Sequence, residues 1–341
     1  MQNKASLLQY DVFSHYWEDV YVGYTLLIWG LTIKQGTKQS DIKVLKNVVG
    51  NYIRVNAVAV DSKQLYAADN KGNLSIWTKT LLDFPVVIPG QTSSEIESLL
   101  SDDIYLYSGS VTGDTVIRVY NHDLEIIRVL EGHDGSIFDL ATDNNVLASG
   151  SGDATVKLWN KDDWTLLGSI NAQTYFVLCV AIDKKFIYAG GIDNCVNIFS
   201  LDRFDRITSL YGHDASVLSV STDEKYVYSG SGELWWGGPG SPRPSTFESA
   251  IRVWNKEDWT CVAVLEGHLD NINAVEADNQ YVYSASDDGT VRVYSKSDWS
   301  SIISLDPGVG RIIDLVHDDK NVYFGCADGN VRYIPKGKLI A

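Results

Sequence analysis

The chain has 341 residues, a net charge of −16 and a pI near 4.7. So acidic a surface repels phosphate backbones, which argues against nucleic acid as a partner. With 45% hydrophobic and 21% charged residues it is globular rather than disordered, and its length allows two domains or one large closed one.

Short β-branched and aromatic runs alternate with Gly, Asp and Asn clusters, so the class is all-β. Residues 1–41 fit no repeat and read as an N-terminal extension of open role. Their most apolar run, Tyr21 to Ile33, has 13 residues, against the about 20 needed to span a bilayer. It lies far from the start and has no basic leader, so neither a membrane span nor a secretory signal is expected. Cys179, Cys195, Cys261 and Cys326 fall in separate predicted strands without C-x-x-C spacing. Free thiols, no metal site and a cytoplasmic location are the expectation.

From Ile42 onward an apolar run ending in Asp recurs seven times, at Asp61, Asp102, Asp143, Asp183, Asp223, Asp278 and Asp318. The spacings are 41, 41, 40, 40, 55 and 40 residues. A period near 40 with four strand-like segments per unit is the pattern of a propeller blade. Each unit runs from the Asp-terminated strand through segments such as "YVYSGS" and "IRVWN" to an outer strand such as "DWTCVAVLEGH". The seventh unit supplies three strands before "PKGKLIA", while "IKVLKNVVGN" (Ile42 to Asn51) aligns with an orphan fourth strand. It is expected to complete the last blade and remove the open sheet edges.

Gly-His, Ser-Gly-Ser and Asp-x-Thr-Val-x-x-Trp recur in register, and the chain resembles the WD-repeat β-propeller family over about residues 42–336. Trp159-Asn160 and Trp254-Asn255 stand where the family has its Trp-Asp dipeptide. The first, second, fourth and seventh copies are degenerate. The fold expected is one seven-bladed propeller of four-stranded antiparallel blades, with residues 337–341 as a tail.

The sets His133, Ser149, Asp153, Trp159 and His268, Ser284, Asp288, Tyr294 each fall in one unit; His213, Ser229 and Trp254 fall in a third. A catalytic triad has no reason to repeat. The resemblance implies a hydrogen-bonded relay inside each blade, and blades without the set are expected to rely on apolar packing.

Function is expected where a repeat departs from its template. The longest spacing holds an insertion at 233–249 with Trp235, Trp236, Arg243 and Phe247, a candidate binding element. A second candidate is the ring of positions seven residues before each marker Asp: Arg54, Glu95, Ser136, Phe176, Ser216, Asn271 and Arg311. These rim the channel mouth, where relatives bind peptides. Arg54 and Arg311 belong to adjacent blades after closure, with Tyr52 nearby, and are expected to hold a carboxylate or phosphate. Trp164, Trp259 and Trp299 open the outer strands and are expected to staple their hairpin turns. The reading is a non-catalytic, cofactor-free, monomeric scaffold binding proteins or peptides. Its alternatives are a carbohydrate- or small-ligand-binding propeller that uses those Trp rings, and an enzyme that uses Asp139 and Asp314 in the channel.

Overall fold

The computed structural model describes residues 41–45, 53–90, 95–111, 113–143, 145–233 and 248–339. The described strands form seven four-stranded antiparallel sheets. In chain order the blades cover 55–88, 96–130, 137–171, 177–211, 216–265, 272–305, and 312–335 joined to 43–45. Within each, sequential strands pair by short turns. The innermost strand runs toward the marker Asp, so the turn after it and the turn before the outermost strand share one face, here the lower. The two remaining connections share the upper face.

Burial falls from the axis outward. The second strands are almost wholly buried, as in Val146–Ser151, because neighbouring blades cover both of their faces. The outermost strands, such as Leu166–Asn171, are largely exposed. Each innermost strand carries a register shift near its start, for example between Ile137 and Asp139 and between Ile312 and Asp314. Such a bulge bends the strand and re-aims its side chains. The glycine of the second strand, in Ser149-Gly150-Ser151 of blade three and Phe324-Gly325-Cys326 of blade seven, is where blades touch. A Cβ on Gly150 would lie 2.8 Å from Val177 Cγ1 of the next blade, and one on Gly325 would lie 2.6 Å from Val55 Cγ1.

The core is divided among seams. At the closing seam Leu45, Val55, Trp77, Tyr323 and Val331 pack together. There the strand Lys43–Leu45 pairs antiparallel with Val331–Pro335, Leu45 opposite Val331. The N-terminal strand therefore closes the ring, and residues 46–52, the rest of its expected length, lie outside the described residues. After the last strand Lys336–Leu339 forms one helical turn, and Leu339 is 3% exposed, packed in a core cluster.

Candidate functional site

In blade three His133 Nδ1 lies 2.7 Å from Asp153 Oδ2, and its Nε2 lies 2.7 Å from Ser149 Oγ. Trp159 Nε1 donates to the same Ser149 oxygen at 3.0 Å. Asp153 also accepts from the Thr155 amide and hydroxyl. Burial alone would raise the Asp153 carboxyl; the bonds from His133 and Thr155 outweigh it and hold it well below the usual range. Blade six repeats this with His268, Asp288 and Ser284 at 2.8 Å each. Its Tyr294 donates to the Glu266 carbonyl at 3.3 Å.

In blade five His213 Nε2 and Trp254 Nε1 meet Ser229 Oγ at 2.7 and 2.9 Å. The insertion has displaced the Asp, and His213 Nδ1 is buried with no partner among the described residues. Burial, then the nearby Arg252 guanidinium, push the His213 pKa down to about 4.

Three blades carry an arginine–carboxylate pair four residues apart; in blades two and seven, which lack the His set, it stands where apolar packing was expected, and in blade five it sits beside His213. These are Asp114–Arg118 at 2.8 Å, Glu248–Arg252 at 2.8 Å and Asp328–Arg332 at 2.7 Å. Blade one keeps only the ring: Trp77 is buried, Ala67 stands where blades two, three, five and six have the serine, and Trp77 Nε1 has no partner among the described residues.

A second set of residues, absent from the sequence reading, stitches the lower face. The lysine that opens the turn after the third strand reaches the marker Asp of the preceding blade. Lys161 meets Asp102 at 2.6 Å, Lys296 meets Asp223 at 2.5 Å, Lys336 meets Asp278 at 2.6 Å and Lys79 meets Asp318 at 2.5 Å; Lys256 meets Asp183 likewise. A buried tyrosine hydroxyl on the second strand donates to the same carboxylate, as Tyr107 does to Asp102. Burial would raise these five carboxyls, but the lysine bonds lower them, Asp278 to about 2. The signal was in the sequence: the lysine follows its own marker Asp by 18 residues in four blades. Its partner lies one blade back, which no single repeat reveals.

Trp164, Trp259 and Trp299 pack against clusters that include residues of their own blades and also reach across seams. Their rings make edge contacts at 5.1, 5.3 and 5.2 Å with Tyr105, Phe186 and Tyr226 of the preceding blade. All three backbones are left-handed, with φ of 60–65°. That conformation costs a non-glycine residue roughly 1–2 kcal/mol, which ring packing offsets.

On the upper rim Arg54 and Arg311 both line the channel mouth and take different carboxylate partners. Arg54 pairs forward with Glu95 at 3.1 Å and Arg311 backward with Asp287 at 2.7 Å. Each arginine is thus engaged by a carboxylate of the chain itself. Phe176 stacks at a tilt on Phe138, 5.9 Å between centroids, and Tyr175 beside it is 63% exposed. Asn271 holds Glu233, the first residue of the insertion, through its amide at 2.7 Å and its carbonyl at 3.2 Å. At the other end Glu248 N–H donates to Asp214 at 3.0 Å. Tyr52, Trp235, Trp236, Arg243 and Phe247 lie outside the described residues.

The channel is a cavity of about 600 Å³. Asp139 and Asp314 line it, and each is bonded to a backbone amide of the next blade, Val180 and Val58, at 2.8 Å. Burial pushes both up to about 7, and burial with their proximity pushes Glu276 up to about 8. Among the described residues no group of three or more His, Cys, Asp or Glu is placed to hold a metal ion. No helix among them is long and apolar enough to cross a membrane.

The WD domain, G-beta repeat family matches residues 124–160, 204–235 and 259–295, the stretches that lead into blades three, five and six. No curated protein matches the chain in sequence. Among solved structures, the WD40 β-propeller domain of Doa1 is similar in fold, with a TM-score of 0.72 and 19% identity over 86% of this chain and 97% of that one. The chain is thus a seven-bladed β-propeller that carries three matches to the WD repeat.

Proposed function

We propose that the protein is a non-catalytic interaction scaffold that presents its upper face, with the 233–249 insertion, to a protein or peptide. The observation that carries this is where the reactive-looking groups are spent. The His–Asp–Ser sets are bonded within their blades, and Asp139 and Asp314 are bonded to neighbouring backbones. Exposed apolar side chains sit on the upper loops instead: Tyr175 at 63% and Leu269 at 86%. The insertion is rooted on that face through Asn271 and Asp214.

The rim favours a basic partner over an acidic one. Arg54 and Arg311 are each paired with a carboxylate, while Asp134, Asp193, Asp214, Asp270 and Asp306 lie on the same loops. The engaged Trp164, Trp259 and Trp299 rings leave the carbohydrate reading without a repeated free aromatic face. Affinity capture with the intact chain and with residues 234–248 deleted tests the proposal. A partner retained only by the intact chain supports the insertion as part of the surface; identical captures remove it.

A further inference from the structure

One seam has lost its polar staple. The marker Asp of blade three, Asp143, lines one cavity with Ile182 and Leu201 of blade four, and Leu201 stands where five other blades carry the stitching lysine. Ala148 replaces the tyrosine that the other six blades place five residues after the marker. Phe204 replaces the turn tryptophan, and Val146 the aromatic against which it packs elsewhere. Asp143 Oδ1 accepts from the Asn145 and Val146 amides at 2.7 Å. No hydroxyl or amine among the described residues reaches Oδ2. The other seam without the lysine compensates: Asp61 Oδ2 accepts from Tyr66 at 2.8 Å and from Ser101 at 3.2 Å.

These substitutions open a cavity of about 1220 Å³ on the lower face, whose lining includes Asp143, Val146, Leu167, Leu201 and Phe204. Leu166 and Leu167 beside it are 48% and 46% exposed. We infer that this seam is a docking site for a partner protein segment that brings one ammonium or guanidinium group to Asp143 and one aromatic ring to Leu167, Leu201 and Phe204. The intact seams define that chemistry, since each supplies a donor to the marker carboxylate and most add a ring beside it. A single charge pair with one apolar anchor suits a weak, modular contact. The site lies on the face opposite the upper rim and stands independently of the proposed function.

The probe is tryptamine, an ammonium on an indole, with tryptophol as its uncharged counterpart. Nuclear magnetic resonance titration of the full chain should show saturable millimolar binding of tryptamine that shifts residues near Leu201, and at least about tenfold weaker binding of tryptophol. Leu201→Lys should place an internal amine on Asp143, abolish tryptamine binding and raise the thermal midpoint. Asp143→Asn should remove the preference for tryptamine, which keeps the test decisive if the lysine variant misfolds. Equal binding of the two probes, or tryptamine binding that survives Leu201→Lys, would overturn the inference. Concentration-dependent dimerisation abolished by Leu201→Lys would overturn the partner assignment in favour of a second copy of the chain.

Discussion

Lys161 of blade three lies 2.6 Å from Asp102 of blade two, and the same amine donates to the Asp143 carbonyl of its own blade at 2.9 Å. One side chain thus ties an adjacent blade to its own lower turn. Removing it leaves a half-buried carboxylate with only Tyr107 and two amides. Lys161→Met is expected to cost about 1–3 kcal/mol, less than a fully buried pair because the Asp102 side chain stays partly solvated. Urea unfolding monitored by Trp fluorescence checks this.

His133 and His213 should differ. His133→Ala takes one partner from each of Asp153 and Ser149, whereas His213→Ala removes a ring that already lacks a carboxylate partner among the described residues. The expected losses are about 2–4 kcal/mol for the first and about half that for the second. Equal losses in thermal unfolding would mean that the Asp153 bond contributes nothing.

Blade one offers a gain. Trp77 Nε1 is buried with no partner among the described residues, and Ala67 occupies the position from which Ser149 accepts the Trp159 proton in blade three. Ala67→Ser is expected to stabilise by about 1 kcal/mol. A thermal midpoint that rises is the outcome sought.

The channel acids predict an unusual pH profile. A carboxyl whose folded-state pKa is raised binds its proton more tightly when folded. Its stabilisation is complete below the unfolded value near 4 and lost as pH rises through the folded value. Asp139 and Asp314 at about 7 and Glu276 at about 8 therefore erode stability between roughly pH 4 and 8. The lowered lower-face carboxyls act oppositely, losing their contribution as pH falls through their folded values, about 2 for Asp278. Glu276→Gln should flatten the alkaline limb, gaining about 1–3 kcal/mol at pH 8.5 and little at pH 4. The check is denaturant unfolding of both proteins across that range.

What could be read from the sequence was whatever repeats within one unit. The marker Asp, the Ser-Gly-Ser strand and the orphan fourth strand led to seven blades and to the Lys43–Leu45 closure. What stayed hidden was chemistry between units. Lys161 and Trp164 look like parts of one hairpin, but their partners Asp102 and Tyr105 lie 59 residues back. The Arg118, Arg252 and Arg332 pairs hid for another reason: each arginine sits on an ordinary strand pattern, and only its register places it beside Asp114, Glu248 or Asp328. The carboxylate partners of Arg54 and Arg311 stayed hidden because adjacency of blades says nothing about which neighbour a long side chain chooses.

The central claim is that binding belongs to the upper loops while the His–Ser–Asp sets only support the fold. Quantitative affinity capture from cells of the source organism tests it, comparing the unaltered chain with Tyr175→Ser/Leu269→Ser and with His133→Ala, all below their melting temperatures. The account predicts that the upper-face double variant loses its partner while His133→Ala keeps it. A partner retained by the double variant and lost by His133→Ala would contradict it.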